Sequence, residues 1–209
     1  MGFRPQDSSI TELYPIVKRT FIAFEIKASA KLKQDYELIR HRLRLERINW
    51  IPVENLHITL NFLGDTGEES LPEIIRSVET IAGKHAPLEI MLRSFGVFKS
   101  LREPRVIWMG CSIDPDLVQL KKELDNCLSL FGFEPDNREF LPHLTLGRVK
   151  QIRQINQLAQ LITLFKESEF QRQWIDRLVL FESILKPEGP EYIPIHELPL
   201  CKPSPITSH

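Results

Sequence analysis

Two short stretches with the same alternation constrain this chain more than any other feature. They are His57-Ile58-Thr59-Leu60 and His143-Leu144-Thr145-Leu146. In an extended strand residues i and i+2 share a face. Each stretch therefore sends an imidazole and a hydroxyl to one side and two aliphatic side chains to the other. That is a half-buried strand with a core beneath it and a polar outer face, the habit of antiparallel sheets. Chance does not supply the pair readily. With 6 His and 8 Thr in 209 residues, about 0.2 His-x-Thr triplets are expected, before an apolar middle residue and a following Leu are required. The two lie 86 positions apart, 143 minus 57. They suggest two lobes, each built around one such strand.

The rest of the chain alternates strand and helix patterns. Phe21 to Ile26 is a short apolar run and predicts a buried strand. From Ser29 to Arg44, Leu32, Tyr36, Ile39 and Leu43 fall at helical spacing. Ile48 to Pro52 is expected to be extended, His57 to Leu63 a strand, and Gly64 to Gly67 the turn that ends it. A helix is expected over Glu69 to Ala82, then two strands over Leu88 to Phe98 and Arg105 to Cys111. Asp114 and Pro115 open a third helix, which Gly132 is placed to stop. A strand follows from His143 to Val149, a helix from Ile152 to Phe165, one strand from Trp174 to Glu182, and a short last strand over Tyr192 to Leu198. Residues 1–18 are polar and proline-bearing and are expected to form a flexible leader, residues 19–199 one bilobal domain, and residues 200–209 a frayed tail.

Composition narrows the class. There are 27 basic and 28 acidic residues, a net charge of -1. That excludes a strongly cationic nucleic-acid coat but leaves room for a footprint of a nucleotide or two. Cys111, Cys127 and Cys201 are odd in number and lack CxxC spacing. They are expected to be reduced thiols in a cytoplasmic protein. No stretch is apolar enough to cross a membrane as a helix, and no signal-peptide core is evident. There is no HExxH and no GxxxxGK[ST] phosphate loop. Neither metal nor other cofactor is expected, and the chain is expected to be a monomer.

Imidazole is the side chain that gives or takes a proton near neutral pH. Two imidazoles on opposite sides of a phosphate can act as base and acid in one displacement. Thr59 and Thr145 would supply hydroxyls to the nonbridging oxygens. None of the other histidines (His41, His85, His196 and His209) repeats the spacing.

Trp50-Ile-Pro-Val-Glu-Asn-Leu-His57-Ile-Thr-Leu-Asn-Phe-Leu-Gly64 and Pro142-His143-Leu-Thr-Leu-Gly-Arg148 resemble the two signature motifs of the two-histidine phosphoesterases. The resemblance is to the RNA 2',3'-cyclic phosphodiesterase (LigT-like) branch. Phe21-Ile-Ala-Phe24, Gly96-Val-Phe98, Pro104-Arg-Val-Ile-Trp108 and Phe140-Leu-Pro-His143 support it. It covers about residues 19 to 199 in collinear order.

The resemblance implies an α+β bilobal fold. Two pseudo-symmetric lobes carry antiparallel sheets that face a central cleft, with helices outside. It also implies metal-independent hydrolysis of RNA 2',3'-cyclic phosphate ends, on RNA 3' ends or short oligonucleotides, to 2'-phosphates. His57 would be the proton donor and His143 the proton acceptor. Thr59, Thr145 and Arg148 would hold the phosphate. Phe62, after the first motif, or Phe140, before the second, could line the cleft and stack on a base. Simple parity opposes Arg148, because 143, 145 and 147 share a face and 148 falls on the other. Its role requires a bulge. A 2'-5' RNA ligase, a small cyclic nucleotide phosphodiesterase and a non-catalytic binding module for nucleotides or RNA ends stay open at this point.

Overall fold

The computed structural model describes residues 16–136, 138–186 and 189–201. Nine strands and four α-helices follow one another in these residues. They are β1 (Val17–Glu25), α1 (Ala30–Arg42), β2 (Arg47–Trp50), β3 (His57–Gly67), α2 (Leu71–Ala82), β4 (Leu88–Lys99), β5 (Pro104–Cys111) and α3 (Pro115–Ser129). Then come β6 (His143–Gln151), α4 (Ile155–Leu164), β7 (Glu169–Ile175), β8 (Arg177–Lys186) and β9 (Gly189–Pro199).

The strands form two sheets, ordered β3-β1-β8-β9 and β2-β6-β5-β4-β7, and all pairs are antiparallel. The fold is α+β and bilobal. Each sheet holds one of the two His-x-Thr strands, β3 in the first and β6 in the second. The lobes are not successive halves of the chain. The first sheet takes β1 and β3 from the beginning and β8 and β9 from the end, while the second takes β2 and β4 to β7 from between them. Helix α2 packs on β8, β9 and α3, while α1 and α4 pack on β7 and β4 of the other sheet. A single cluster of buried apolar residues, from Ile22 to Leu200, runs through both lobes.

Local chemistry explains the helices. Ser29 caps α1 by accepting from Leu32 N at 3.2 Å, and Leu32, Tyr36 and Ile39 are the face it buries. Asp114 caps α3 by accepting from Asp116 N at 2.8 Å, with Pro115 behind it. The Tyr36 hydroxyl donates to the Ile51 carbonyl at 2.5 Å, which ties α1 to the segment that leads into β3.

Two expectations are corrected. Gly64 to Gly67 is not a turn, because β3 continues through it and stays paired with β1 as far as Val17↔Gly67. Gly64 does take a left-handed φ of 72°, but it sits beside a bulge, and β1 is long enough to keep the ladder. Trp174 to Glu182 is two strands in different sheets. β7 ends at Ile175, the chain passes over at Asp176, and β8 starts at Arg177. A single polar residue between two apolar runs is a weak stop signal, and the carbonyl of Asp176 is held by Leu200 N at 2.8 Å.

At the ends, Val17 and Lys18 already belong to β1, and Leu200 is buried. The rest of the expected leader, residues 1–15, and of the expected tail, residues 202–209, lies outside the described residues. Among the described residues no helix is long and apolar enough to cross a membrane.

Candidate active site

The register places the motif residues. On β1, alternate residues face opposite ways: Ile22 and Phe24 enter the main core, whereas Phe21 and Ala23 form a small separate cluster with Val179 and Phe181. This second cluster is the floor of the cleft on the first sheet. Residues directly opposite in an antiparallel pair share a face. Glu25↔His57, Ala23↔Thr59 and Phe21↔Phe62 therefore put His57, Thr59 and Phe62 over that floor. Thr59 and Phe62 have opposite parity, so one residue must be extra. The pairs Ile22↔Asn61 and Ala23↔Thr59 leave Leu60 as a bulge.

The second motif repeats this construction. Gly110↔His143, Trp108↔Thr145 and Val106↔Arg148 place His143, Thr145 and Arg148 on one face of the second sheet, while Met109↔Leu144 and Ile107↔Gly147 point into the core. Leu146 is the extra residue. Arg148 thus reaches the face of His143 by a bulge, the condition its role required. In both motifs the bulged leucine is three residues after the histidine, and the fifth residue after it, Phe62 or Arg148, returns to the cleft. Strands β3 and β6 contact one another across the two sheets.

The two imidazoles are held alike. His57 Nδ1 lies 2.7 Å from the Asn55 carbonyl oxygen, and His143 Nδ1 lies 2.8 Å from the Leu141 carbonyl oxygen. A carbonyl only accepts, so Nδ1 carries the proton in each ring and Nε2 is left to work in the cleft. Burial is the main reason that both imidazoles bind a proton less readily than a free histidine. The hydrogen bonds to the carbonyls oppose this, and the Arg148 charge adds to it at both rings. The His143 charge also acts on His57. Arg148 and the two histidines therefore share one electrostatic neighbourhood, although they come from different sheets.

Aromatic rings fix the imidazoles in orientation. Phe21 and Tyr192 each pack on His57 with centroids 4.9 Å apart, and Phe98 meets His143 edge-on at 4.6 Å. Phe98 in turn rests on Trp108 at 5.3 Å. A Cβ at Gly96 would collide with the Trp108 indole, so glycine there lets the ring lie flat against the sheet. Phe62 is 56% exposed, with Arg19 stacked on it at 4.8 Å. Tyr192 and Arg19 were not singled out from the sequence, and Phe21 and Phe98 entered only as support for the resemblance, with no role in the site. For Arg19 and Phe21 the available signal was parity along β1.

The remaining described histidines lie elsewhere. His85 and His196 pair with Glu123 and Glu79 on helices α3 and α2, and His41 sits in α1. His209 lies outside the described residues. Among the described residues no group of three His, Cys, Asp or Glu side chains converges as a metal site would require.

Comparison with known proteins gives the family. A family profile described as LigT like Phosphoesterase matches residues 25–108 and 112–192. A Methanocaldococcus jannaschii protein named RNA 2',3'-cyclic phosphodiesterase is 36% identical over 179 residues, 86% of this chain and 99% of that protein. A Thermotoga maritima protein of the same name is 33% identical over 182 residues, covering 86% and 94%. Among solved structures, a Thermus thermophilus protein superposes with a TM-score of 0.71 at 26% identity, over 87% of this chain and 97% of that one. Escherichia coli LigT complexed with 3'-AMP shares the fold, with a TM-score of 0.65 at 22% identity over 90% and 100%. With both motifs on facing strands and a profile match over most of its length, the chain belongs to the LigT-like phosphoesterase family.

Proposed function

We propose that this chain is an RNA 2',3'-cyclic 3'-phosphodiesterase, which opens 2',3'-cyclic phosphate ends to 2'-phosphomonoesters. The observation that carries the reading is the matched pair of imidazoles. Each has Nδ1 tied to a carbonyl two residues upstream and Nε2 left free, and Arg148 lies within electrostatic reach of both. A recognition module would need cations and aromatics, but not two histidines held in this way. Named relatives over most of the chain support the same activity.

The chemistry follows from the parts. His143 Nε2 takes a proton from water as the water oxygen attacks phosphorus. The bond from phosphorus to the 3'-oxygen breaks, and His57 gives its proton to that oxygen. The product is a 2'-phosphate beside a free 3'-hydroxyl. Charge develops on the nonbridging oxygens, where Thr59, Thr145 and Arg148 are the donors. Arginine offers two parallel N–H groups to two of these oxygens. Phe62 contributes an exposed ring to an unpaired base.

The direct test is incubation with a short RNA ending in a 2',3'-cyclic phosphate, in EDTA, with the product mapped. Turnover to a 2'-phosphate in EDTA is expected, because acid, base and charge stabilisation all come from side chains. Activity abolished by EDTA and restored by a divalent ion contradicts the mechanism, and a 3'-phosphate product contradicts the roles.

The pH dependence has a definite sign. His143 must be neutral and His57 protonated, so the rate is bell-shaped. Both imidazoles in the empty site titrate below the ordinary value of about 6.5. The base is therefore ready at lower pH, and the acid is also lost at lower pH. The kcat/KM profile, which reports the free enzyme, is expected to peak below about 6.5. A bound phosphate anion favours both imidazolium forms, so the kcat profile is expected to lie at higher pH. Superimposable profiles, or a kcat/KM still rising above that value, contradict this assignment.

A further inference from the structure

The cleft has an electrical direction. Beside His57 lies a pocket of about 260 Å³ whose walls include Glu25, Glu54 and Glu197, with Phe181 and Tyr192 among its aromatic surfaces. Glu197 is held by Arg177 at 2.6 Å, and the carboxylates of Glu25 and Glu54 disfavour any phosphate there. Along β1 in the other direction the same face carries Phe21 and then Arg19, since residues i and i+2 share a side. Arg19 lies over Phe62 at 4.8 Å and makes no ion pair among the described residues, even with its cross-strand neighbour Asp65. Tyr192 stands between the two ends, 5.1 Å from Phe21 and 4.9 Å from His57. The charges of Arg19 and Arg148 both favour loss of its phenol proton, against the effect of burial. Arg19 and Arg148 are therefore both within electrostatic reach of the same phenol. One end of the site is acidic and aromatic; the other holds the Arg19 guanidinium, opposite Asp65, and the exposed Phe62 ring, with Arg148 acting on the two histidines between them.

An RNA ending in a cyclic phosphate has matching asymmetry. The terminal nucleoside has nothing anionic beyond it on its 3' side except the reacting group itself. On its 5' side every further residue adds a phosphodiester. Resting on the proposed activity, we infer that the chain leaves the catalytic centre over β1: Arg19 binds the phosphodiester that joins the last two nucleotides, and the free face of Phe62 stacks on the penultimate base. The acidic pocket beside His57 is then left to the terminal nucleoside, whose base can donate N–H groups to carboxylates. The site is thereby built for an oligonucleotide end in preference to a cyclic mononucleotide, which has no phosphodiester to give Arg19. Stacking tolerates any base, so the preference concerns length and not sequence.

The test compares kcat/KM for three substrates. These are a 2',3'-cyclic mononucleotide, a dinucleotide ending in a 2',3'-cyclic phosphate, and the same dinucleotide with an uncharged methylphosphonate at the internal linkage. One charge-assisted contact predicts that the natural enzyme favours the charged dinucleotide over the methylphosphonate by about tenfold. Arg19→Ala is expected to erase that ratio. Arg19→Lys, which keeps the charge and loses the fork, should retain part of it. Phe62→Leu is expected to lower kcat/KM for both dinucleotides alike, relative to the mononucleotide.

A charged-to-uncharged ratio that survives in Arg19→Ala overturns the inference. So does a loss of the same size on all three substrates. If the natural enzyme opens none of the three, the proposed function itself fails. If it opens all three at one rate, only the directional reading falls.

Discussion

His57→Ala and His143→Ala are each expected to lower kcat/KM for a cyclic-phosphate end by about 100-fold or more, the scale for removing one positioned acid or base. Neither should unfold the protein. Both imidazoles border the cleft, and the apolar residues beneath them, Ile58 and Leu144, keep the core closed. Each substitution leaves a carbonyl, of Asn55 or Leu141, without its imidazole partner. Both sites are partly exposed, so water can replace the bond and the stability cost is expected to stay near ~1 kcal/mol. The double variant is expected to lose far less than the product of the single losses, because the two groups act in one step. Fully multiplicative losses would show two independent contributions. Thermal unfolding of each variant beside its turnover separates chemistry from folding.

The motif histidines were legible because a strand's period of two is hard to mistake when the apolar partners are aliphatic. Ile58, Leu60, Leu144 and Leu146 are all buried, so the opposite face had to be the polar one. Arg148 and Phe62 were not legible by parity alone. Each reaches the cleft through a bulge at a leucine, Leu146 or Leu60; Leu60 has no Gly or Pro beside it, and Gly147 after Leu146 lies close against Ile48 and Trp50, so that glycine does not by itself single out the bulge. The aromatic floor was hidden for another reason. Phe21 to Ile26 is continuous apolar sequence, and nothing in it tells a strand buried on both sides by core from one that faces core and cleft.

The paired lobes were legible only in part. One His strand per lobe follows from the repeated tetrad, but the exchange of chain segments between sheets does not. β8 and β9 complete the sheet begun by β1 and β3, a long-range choice that no local pattern encodes. The division at Asp176 belongs to the same problem: where the chain changes sheets, the sequence differs from an ordinary strand by one polar residue. Spacing set the three remaining described histidines apart from the pair, and two of them pair with helix carboxylates away from the cleft.

The largest difference between the two histidines is expected when the leaving group changes. In the proposed reaction His57 protonates the departing 3'-oxygen, an alkoxide that leaves poorly without a proton. A nitrophenyl phosphodiester expels a phenolate that is stable without one, so its hydrolysis needs a base and fixed donors but no acid. His57→Ala is therefore expected to recover on that substrate by about 10-fold or more relative to its loss on RNA, while His143→Ala keeps its full loss. The recovery should be incomplete, because His57 also packs against Phe21 and Tyr192 and its removal leaves those rings without a neighbour beside the site. The pH profile supplies a second reading of the same assignment. With the good leaving group the alkaline limb, which belongs to protonated His57, should flatten, and the acid limb of His143 should remain. Recovery confined to His143→Ala would reverse the two roles. Equal recovery of both variants would mean that neither histidine is dedicated to the leaving oxygen and that the site stabilises charge with both imidazoles together.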